Sequence, residues 1–293
     1  EVSCRFFTLL ERRAMKVTIW GTRGSVPISG SYYSYFGGNT TCVEIVSSDG
    51  IRCVIDAGTG IRDLGTSLLN ELPTTMHLFL THYHWDHCIG FPFFVPAFIP
   101  GNTIEIYGQD KGSESAKDIL DGRLMCAPNF PVPLAVMGAT LNFHRLGERG
   151  KIELSKDFTV EYAPLFHPNG VIGLRFTDKG RVFTYLTDIE HTSDSDEDVD
   201  AEPLELARDA SVLAYDCQYT PDEYQTRVNW GHSTWRAGLN LSIKAAAKQM
   251  LMIHHDPAHT DDKVRDMLKD AQDAANGTGV IINAAYEGLS FEV

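Results

Sequence analysis

The amino-acid sequence predicts an α/β fold in a single domain. Short apolar runs of strand length, rich in β-branched and aromatic residues, recur from residue 15 to the C-terminal region, helical segments alternate with them, and no Pro/Gly/Ser-rich linker divides the chain. With 43% hydrophobic content over 293 residues, one large core is available. The 25 basic and 39 acidic residues give a formal charge of −14, so there is no global attraction to nucleic acid or to an anionic membrane. Cys4, Cys42, Cys53, Cys88, Cys126 and Cys217 are scattered without a Cys-x-x-Cys pair, and nothing resembles a secretory signal or a membrane span. Reduced thiols and a cytoplasmic protein are therefore expected, with no membrane partner.

Residues 1–14 read as an N-terminal extension or leader, and residues 15–293 as the folded domain. A first strand over 15–20 runs into the glycine-rich turn 21–27, which lacks the lysine of a phosphate-binding loop. Tyr32, Tyr33, Tyr35 and Phe36 follow in a polar loop and suit a pocket wall, a dimer contact or simple packing. Strands 42–46 and 51–55 are joined by a Ser-Ser-Asp-Gly hairpin turn, and a helix is expected over 61–69. The apolar run 76–80, behind Pro73, reads as a buried strand.

At its end stand His82, His84, Asp86 and His87, four ligand-type side chains in six residues. Alternate side chains of an extended segment point the same way, so His82 and His84 can converge on one ion while Asp86 and His87, past the turn, face another. Crowding unpaired imidazoles and a carboxylate at a strand end is costly without a cation. Cys88, next in line, reads as packing. Residues 91–102 carry three prolines among aromatics, which excludes a regular helix or central strand and suits an apolar flap or an oligomer interface. A strand at 104–107, a helix at 113–120 and strands at 141–145, 158–163, 171–177 and 181–186 come next, with His77 and His144 structural within strand patterns. The acidic run 192–200 lacks the spacing of a calcium loop and reads as a solvated loop. Strand 210–217, helix 235–248, strand 249–253, helix 260–275 and strand 279–283 complete the alternation.

His-x-His-x-Asp-His after an apolar strand resembles the metallo-β-lactamase superfamily, and the resemblance extends over residues 15–293. It implies a four-layer αβ/βα sandwich with a dinuclear metal site at one sheet edge. Carried onto this chain, it implies His82, His84 and His167 on one ion, Asp86, His87 and His254 on the other, and Asp188 between them. His255, beside His254, is the alternative last ligand or, with Tyr33 and Phe94, a supporting or substrate-contacting residue. Asp56 supports the metal loop from behind, caps the following helix, or both.

Gly231-His232-Ser233-Thr234 after Asp216 resembles the RNase Z and cyclic-phosphodiesterase branch, which implies His232 as general acid oriented by Asp216; that branch more often carries Glu where Asp216 stands. The N/O donor set suits zinc, and also manganese or iron. Two such dications make hydroxide available near neutral pH, so the expected catalytic residues are Asp86, Asp216 and His232 in a dinuclear phosphodiesterase. A small or cyclic phosphodiester, such as a cyclic nucleotide, is the expected substrate, a large nucleic acid is disfavoured by the charge, and a homodimer is expected. A carbonyl-ester hydrolase (lactonase, thioesterase or β-lactamase type), a tRNA 3′-end endonuclease and a non-catalytic metal-stabilised binding module are the alternatives.

Overall fold

The computed structural model describes residues 14–191 and 199–293. Residues 1–13, nearly all of the expected N-terminal extension or leader, and residues 192–198 of the acidic run lie outside the described residues. Among the described residues fourteen strands form two seven-stranded sheets. The first holds β1 (Lys16–Gly21), β2 (Cys42–Val46), β3 (Arg52–Ile55), β4 (Thr75–Phe79), β5 (Thr103–Gln109) and β6 (Thr140–Leu146), in that order, with β14 (Ser290–Glu292) added on the outside of β1. The second holds β7 (Gly150–Glu153), β8 (Phe158–Leu165), β9 (Val171–Asp178), β10 (Arg181–Leu186), β11 (Val212–Asp216), β12 (Gln249–Ile253) and β13 (Ile281–Ala284). Strands β3 to β6 pair in parallel, as do β10 to β13, while the outer hairpins are antiparallel.

The helices are α1 (Ile61–Ser67), α2 (Trp85–Cys88), α3 (Ala116–Ile119), α4 (Ala201–Ala207), α5 (Pro221–Tyr224), α6 (Trp235–Lys244) and α7 (Asp261–Ala275). Three buried clusters show how the layers stack. Val17, Ile19, Ile45 and Phe79 of the first sheet meet Phe176, Phe183 and Ile253 of the second. Leu206, Leu239 and Val264 of α4, α6 and α7 cover the outer face of the second sheet. Ile61 and Leu64 of α1 cover that of the first, together with Phe91 and Phe94. This is the expected αβ/βα sandwich, and it burdens the central strands with apolar residues on both faces, which is why they read as continuous runs.

Several boundaries differ from the sequence expectation for local reasons. The helix of α6 stops at Lys244 because Ala246 adopts a left-handed conformation (φ 55°). Ser115 caps α3 with a reciprocal Asp118 bond, and that helix widens into a π-turn at Leu120–Leu124. The short strands β7 and β14 and the helices α4 and α5 were not anticipated, since β7 and β14 are edge strands whose few residues carry little pattern. Among the described residues no helix is long and apolar enough to cross a membrane.

Candidate metal centre

Parallel strands deliver their C-terminal ends to one edge, and the site is assembled there. His82 and His84 follow β4, Asp188 follows β10 and His254 follows β12, while His167 follows β8, which runs in the same direction as β10. Asp86 and His87 are not in an open turn as expected. They sit on α2, a single helical turn begun at His84, and that turn aims both back at the strand ends. Asp56, Asp188 and His254 all adopt left-handed backbone conformations (φ 59°, 56° and 64°), a strained state for non-glycine residues that turns each side chain sharply off its strand.

Two four-residue ligand sets result, and a smaller group of Asp216, His232 and His254 adjoins them. His82, His84, His167 and Asp188 bring one donor atom each within 4.8 Å of one another, and so do Asp86, His87, Asp188 and His254. Asp188 straddles them. Its Oδ1 lies 3.7 Å from His82 Nε2 and 3.8 Å from His167 Nε2, whereas Oδ2 lies 3.0 Å from His87 Nε2 and 3.2 Å from His254 Nε2. Asp86 Oδ2 completes the second set, 3.3 Å from His87 Nε2 and 3.4 Å from His254 Nε2.

The outer bonds of these side chains orient them. His87 Nδ1 donates to Asp56 Oδ2 (2.8 Å), and Asp56 also accepts from the Thr81 N–H and hydroxyl. Asp56 thus ties Thr81 to His87, and it does not cap α1, whose N-cap is Gly60 without a side-chain bond. His167 Nδ1 donates to the Gly231 carbonyl (2.7 Å), which leaves Nε2 facing His84 Nδ1 at 3.1 Å. Ser25 N–H donates to Asp86 Oδ2 (2.7 Å). A ligand whose far nitrogen is committed in this way presents its lone pair inward.

Burial and charge act differently on the two sets. Burial pushes His82 well below its ordinary range and lowers His84 and His167, so these rings are neutral donors. Burial also disfavours the charged form of His254, yet Asp188, Asp86 and Asp216 outweigh it and raise this imidazole to about 9. The second set is thus a pocket of negative potential that a cation satisfies. His82 Nε2, His87 Nε2, Asp188 Oδ2 and His254 Nε2 are buried without a hydrogen-bond partner, and all point into the cluster. Such donors fit a pair of metal ions, and the cluster is capable of holding two.

Asp216 sits at the junction. Its Oδ2 accepts from His232 Nδ1 (3.0 Å) and from the Asp188 N–H (3.0 Å), and Oδ1 accepts from the Gln218 N–H (3.0 Å). The shorter side chain, where the branch more often has Glu, thus still reaches His232. The His232 ring lies 5.1 Å from that of His254 and 5.4 Å from that of His167, over the cluster.

Three expected contacts are elsewhere. Phe94 is buried in the core beneath α1, where a Cβ on Gly65 would come within 2.9 Å of its ring; the prolines break residues 91–102 into short 3-10 turns that send Phe91, Phe94 and Ala97 inward. Tyr33 lies under the guanidinium of the buried Arg23 (5.3 Å), bracing the 21–27 loop. His255 points away from the cluster, with Nε2 donating to the Ala285 carbonyl (3.0 Å) and its ring against Phe36; burial and Arg23 lower it to about 3. His254 alone of the pair faces the centre.

Glu190 was missed. Buried, it accepts from Tyr224 Oη (2.7 Å) and from the N–H groups of Asn229 (2.6 Å) and Gly231 (2.7 Å), clamping the turn that carries His232 and anchors His167. A lone Glu two residues after Asp188 gives no sequence signal for this. Gly231 (φ 85°) is equally constrained, since a Cβ there would stand 2.2 Å from His167 Nδ1.

This geometry defines a His/Asp centre capable of holding two metal ions at one edge of an αβ/βα sandwich. The chain belongs to the β-lactamase superfamily: the profile of the beta-lactamase superfamily domain matches residues 52–255. Ribonuclease Z of Bacillus mycoides (strain KBAB4) is 23% identical over 321 residues, covering 91% of this chain and 96% of its own length. The fold is shared with the metallo-β-lactamase fold protein YhfI from Bacillus subtilis (TM-score 0.68, 20% identity, 96% of this chain and 100% of that one). It is shared too with a diphosphatase of the PhnP family (TM-score 0.65, 18% identity, 95% and 98%).

Proposed function

We propose that the protein is a dinuclear-metal phosphodiesterase, with residues 15–293 as one hydrolase domain. His82, His84 and His167 would hold one ion, Asp86, His87 and His254 the other, and Asp188 both. Zinc suits this N/O set, as do manganese and iron. When bound, such ions supply Lewis acidity toward the phosphoryl oxygens and a nucleophile from water.

The observation that carries the reading is the His232–Asp216 pair. Asp216 accepts from Nδ1, which fixes the tautomer and holds the ring over the cluster, so Nε2 can hand a proton to a departing oxygen. An alkoxide is a poor leaving group and gains most from this. Asp216 also accepts from the Asp188 N–H, so the acid and the straddling carboxylate keep a fixed spacing. The relatives' names, a ribonuclease and a diphosphatase, support phosphorus over carbonyl carbon as the electrophile. Net charge of −14 favours a small or cyclic diester over a long RNA. A cytoplasmic homodimer is the state proposed, which light scattering tests.

His232→Ala tests the assignment. On alkyl or nucleotidyl diesters kcat should fall by about 10²–10⁴, and on diesters with an activated aryl leaving group by far less. An equal loss on both substrate types would reject His232 as the proton donor.

A further inference from the structure

Two clefts flank the cluster, one of about 590 Å³ beside His82 and His84 and one of about 370 Å³ beside His232. In the larger, the cations are already engaged. Lys111 Nζ donates to the carbonyls of Asn169 and Gly170, each at 2.8 Å, and Arg123 pairs with Glu114.

The smaller cleft differs. Arg227 lies with its guanidinium carbon 5.1 Å from the Tyr219 ring centre and 6.0 Å from that of Trp230, held by two aromatic faces. Its Nη1 donates to the Glu223 carbonyl (3.2 Å) and Thr226 Oγ1 (3.5 Å), leaving the Nε/Nη2 edge without a bond among the described residues. Among the described residues no carboxylate pairs with it, although Arg52, Arg123, Arg145 and Arg208 of this acidic chain are each paired. That free edge is the fork that grips a phosphate in two parallel bonds. Trp230 stands 61% exposed on the turn clamped by Glu190, and Tyr219 meets the His232 ring edge-on at 5.9 Å.

We infer that this cleft is the leaving-group subsite and takes a nucleotide unit: a planar base against Trp230 and a second, non-scissile phosphate on Arg227. The inference rests on the phosphodiesterase reading. Because His232 shares the cleft, the oxygen it protonates belongs to the unit lodged there. The phosphorus–oxygen bond to that unit breaks, the departing oxygen keeps the electron pair and takes the His232 proton, and a new phosphorus–oxygen bond forms to water, whose proton passes to solvent. The products are a phosphomonoester and a nucleoside monophosphate. Asp256 on the same wall already accepts from the Ala258 N–H and suits a sugar hydroxyl better than an anion, which leaves the anion to Arg227.

The experiment compares three diesters with the same phosphoryl half: a dinucleotide whose leaving nucleoside carries a terminal phosphate, the same dinucleotide without it, and an aryl ester. The metal-loaded enzyme should prefer the phosphorylated dinucleotide by about tenfold or more in kcat/KM. Arg227→Gln should bring that preference close to unity, and Trp230→Ala should lower both dinucleotides relative to the aryl ester. A preference that survives Arg227→Gln, or is absent from the wild type while the dinucleotides are cleaved, overturns the subsite. If none of the three is hydrolysed, the phosphodiesterase reading fails instead. Binding then decides the subsite by itself: a nucleoside monophosphate should quench Trp230 fluorescence, with the change lost in Trp230→Phe and weakened about tenfold in Arg227→Gln. Equal affinity of wild type and Arg227→Gln, or a response to inorganic phosphate as strong as to the nucleotide, overturns it.

Discussion

The two sheets build the centre in opposite ways. The first contributes His82, His84, Asp86 and His87 from one strand end and the turn of helix after it, with Asp56 behind them. The second contributes Asp216 from the end of β11, and His167, Asp188, His232 and His254 each from a different connection. Local chain geometry creates the first group, so its members stand or fall together. Only the alignment of parallel strands creates the second, so each member depends on its own turn, and three small devices hold those turns: the left-handed Asp188 and His254, the Glu190 clamp and the Asp216 junction.

This contrast breaks most readily at Asp188, the one residue that both sets share. Asp188→Ala should cut activity on the order of a thousandfold or more, and metal per chain by mass spectrometry should drop below that of the wild type. Two ions retained with near-normal turnover would remove Asp188 from between them. Asp56→Asn acts only on the first sheet's group, through His87, and should weaken metal affinity by about 10–100-fold, read by chelator competition; an unaltered affinity would make Asp56 a purely structural residue.

Glu190→Gln acts only on the second sheet's group. It places an amide against backbone N–H groups, should cost about 2 kcal/mol of stability, and should slow alkoxide-leaving diesters about tenfold through His232 and His167. A stability loss with unchanged kcat on every diester would confine Glu190 to the fold.

The smallest effect is expected at Glu223, at the start of α5 near the Arg227 turn. Burial raises its carboxyl, but the Thr220 N–H, His259 and the Thr220 hydroxyl outweigh this and hold it at about 2. A depressed folded-state value contributes stability above the unfolded value near 4.5 and loses it as pH falls through about 2. Glu223→Gln should therefore lower Tm modestly at pH 6, and the difference from wild type should shrink on acidification through that window. A difference that stays constant with pH would show that the carboxylate charge contributes nothing.

Much of this is legible in the sequence. Apolar runs of strand length mark β2 to β5 and β8 to β12, most continuously in β10 to β12, which are buried on both faces. His82, His84, Asp86 and His87 announce themselves by crowding, whereas His167, Asp188 and His254 are indicated only by the family resemblance, and their donor atoms lie within reach of that cluster. Phe94, Tyr33 and His255 show where pattern runs out. An aromatic between prolines, a tyrosine in a glycine-bounded loop and a histidine at a strand end each have two faces to choose from, and sequence spacing does not say which one a 3-10 turn or a buried arginine will select.

The sequence by itself determined the layered α/β architecture, the early ligand cluster and the acidic charge, since all three follow from local composition and period. Tertiary structure alone decided that Asp188 straddles both ligand sets, that His254 faces inward while His255 does not, and that Glu190 and Arg227 flank His232. Those facts depend on backbone angles at strand ends and on contacts between segments far apart in the chain, and neither is written in any short run of residues.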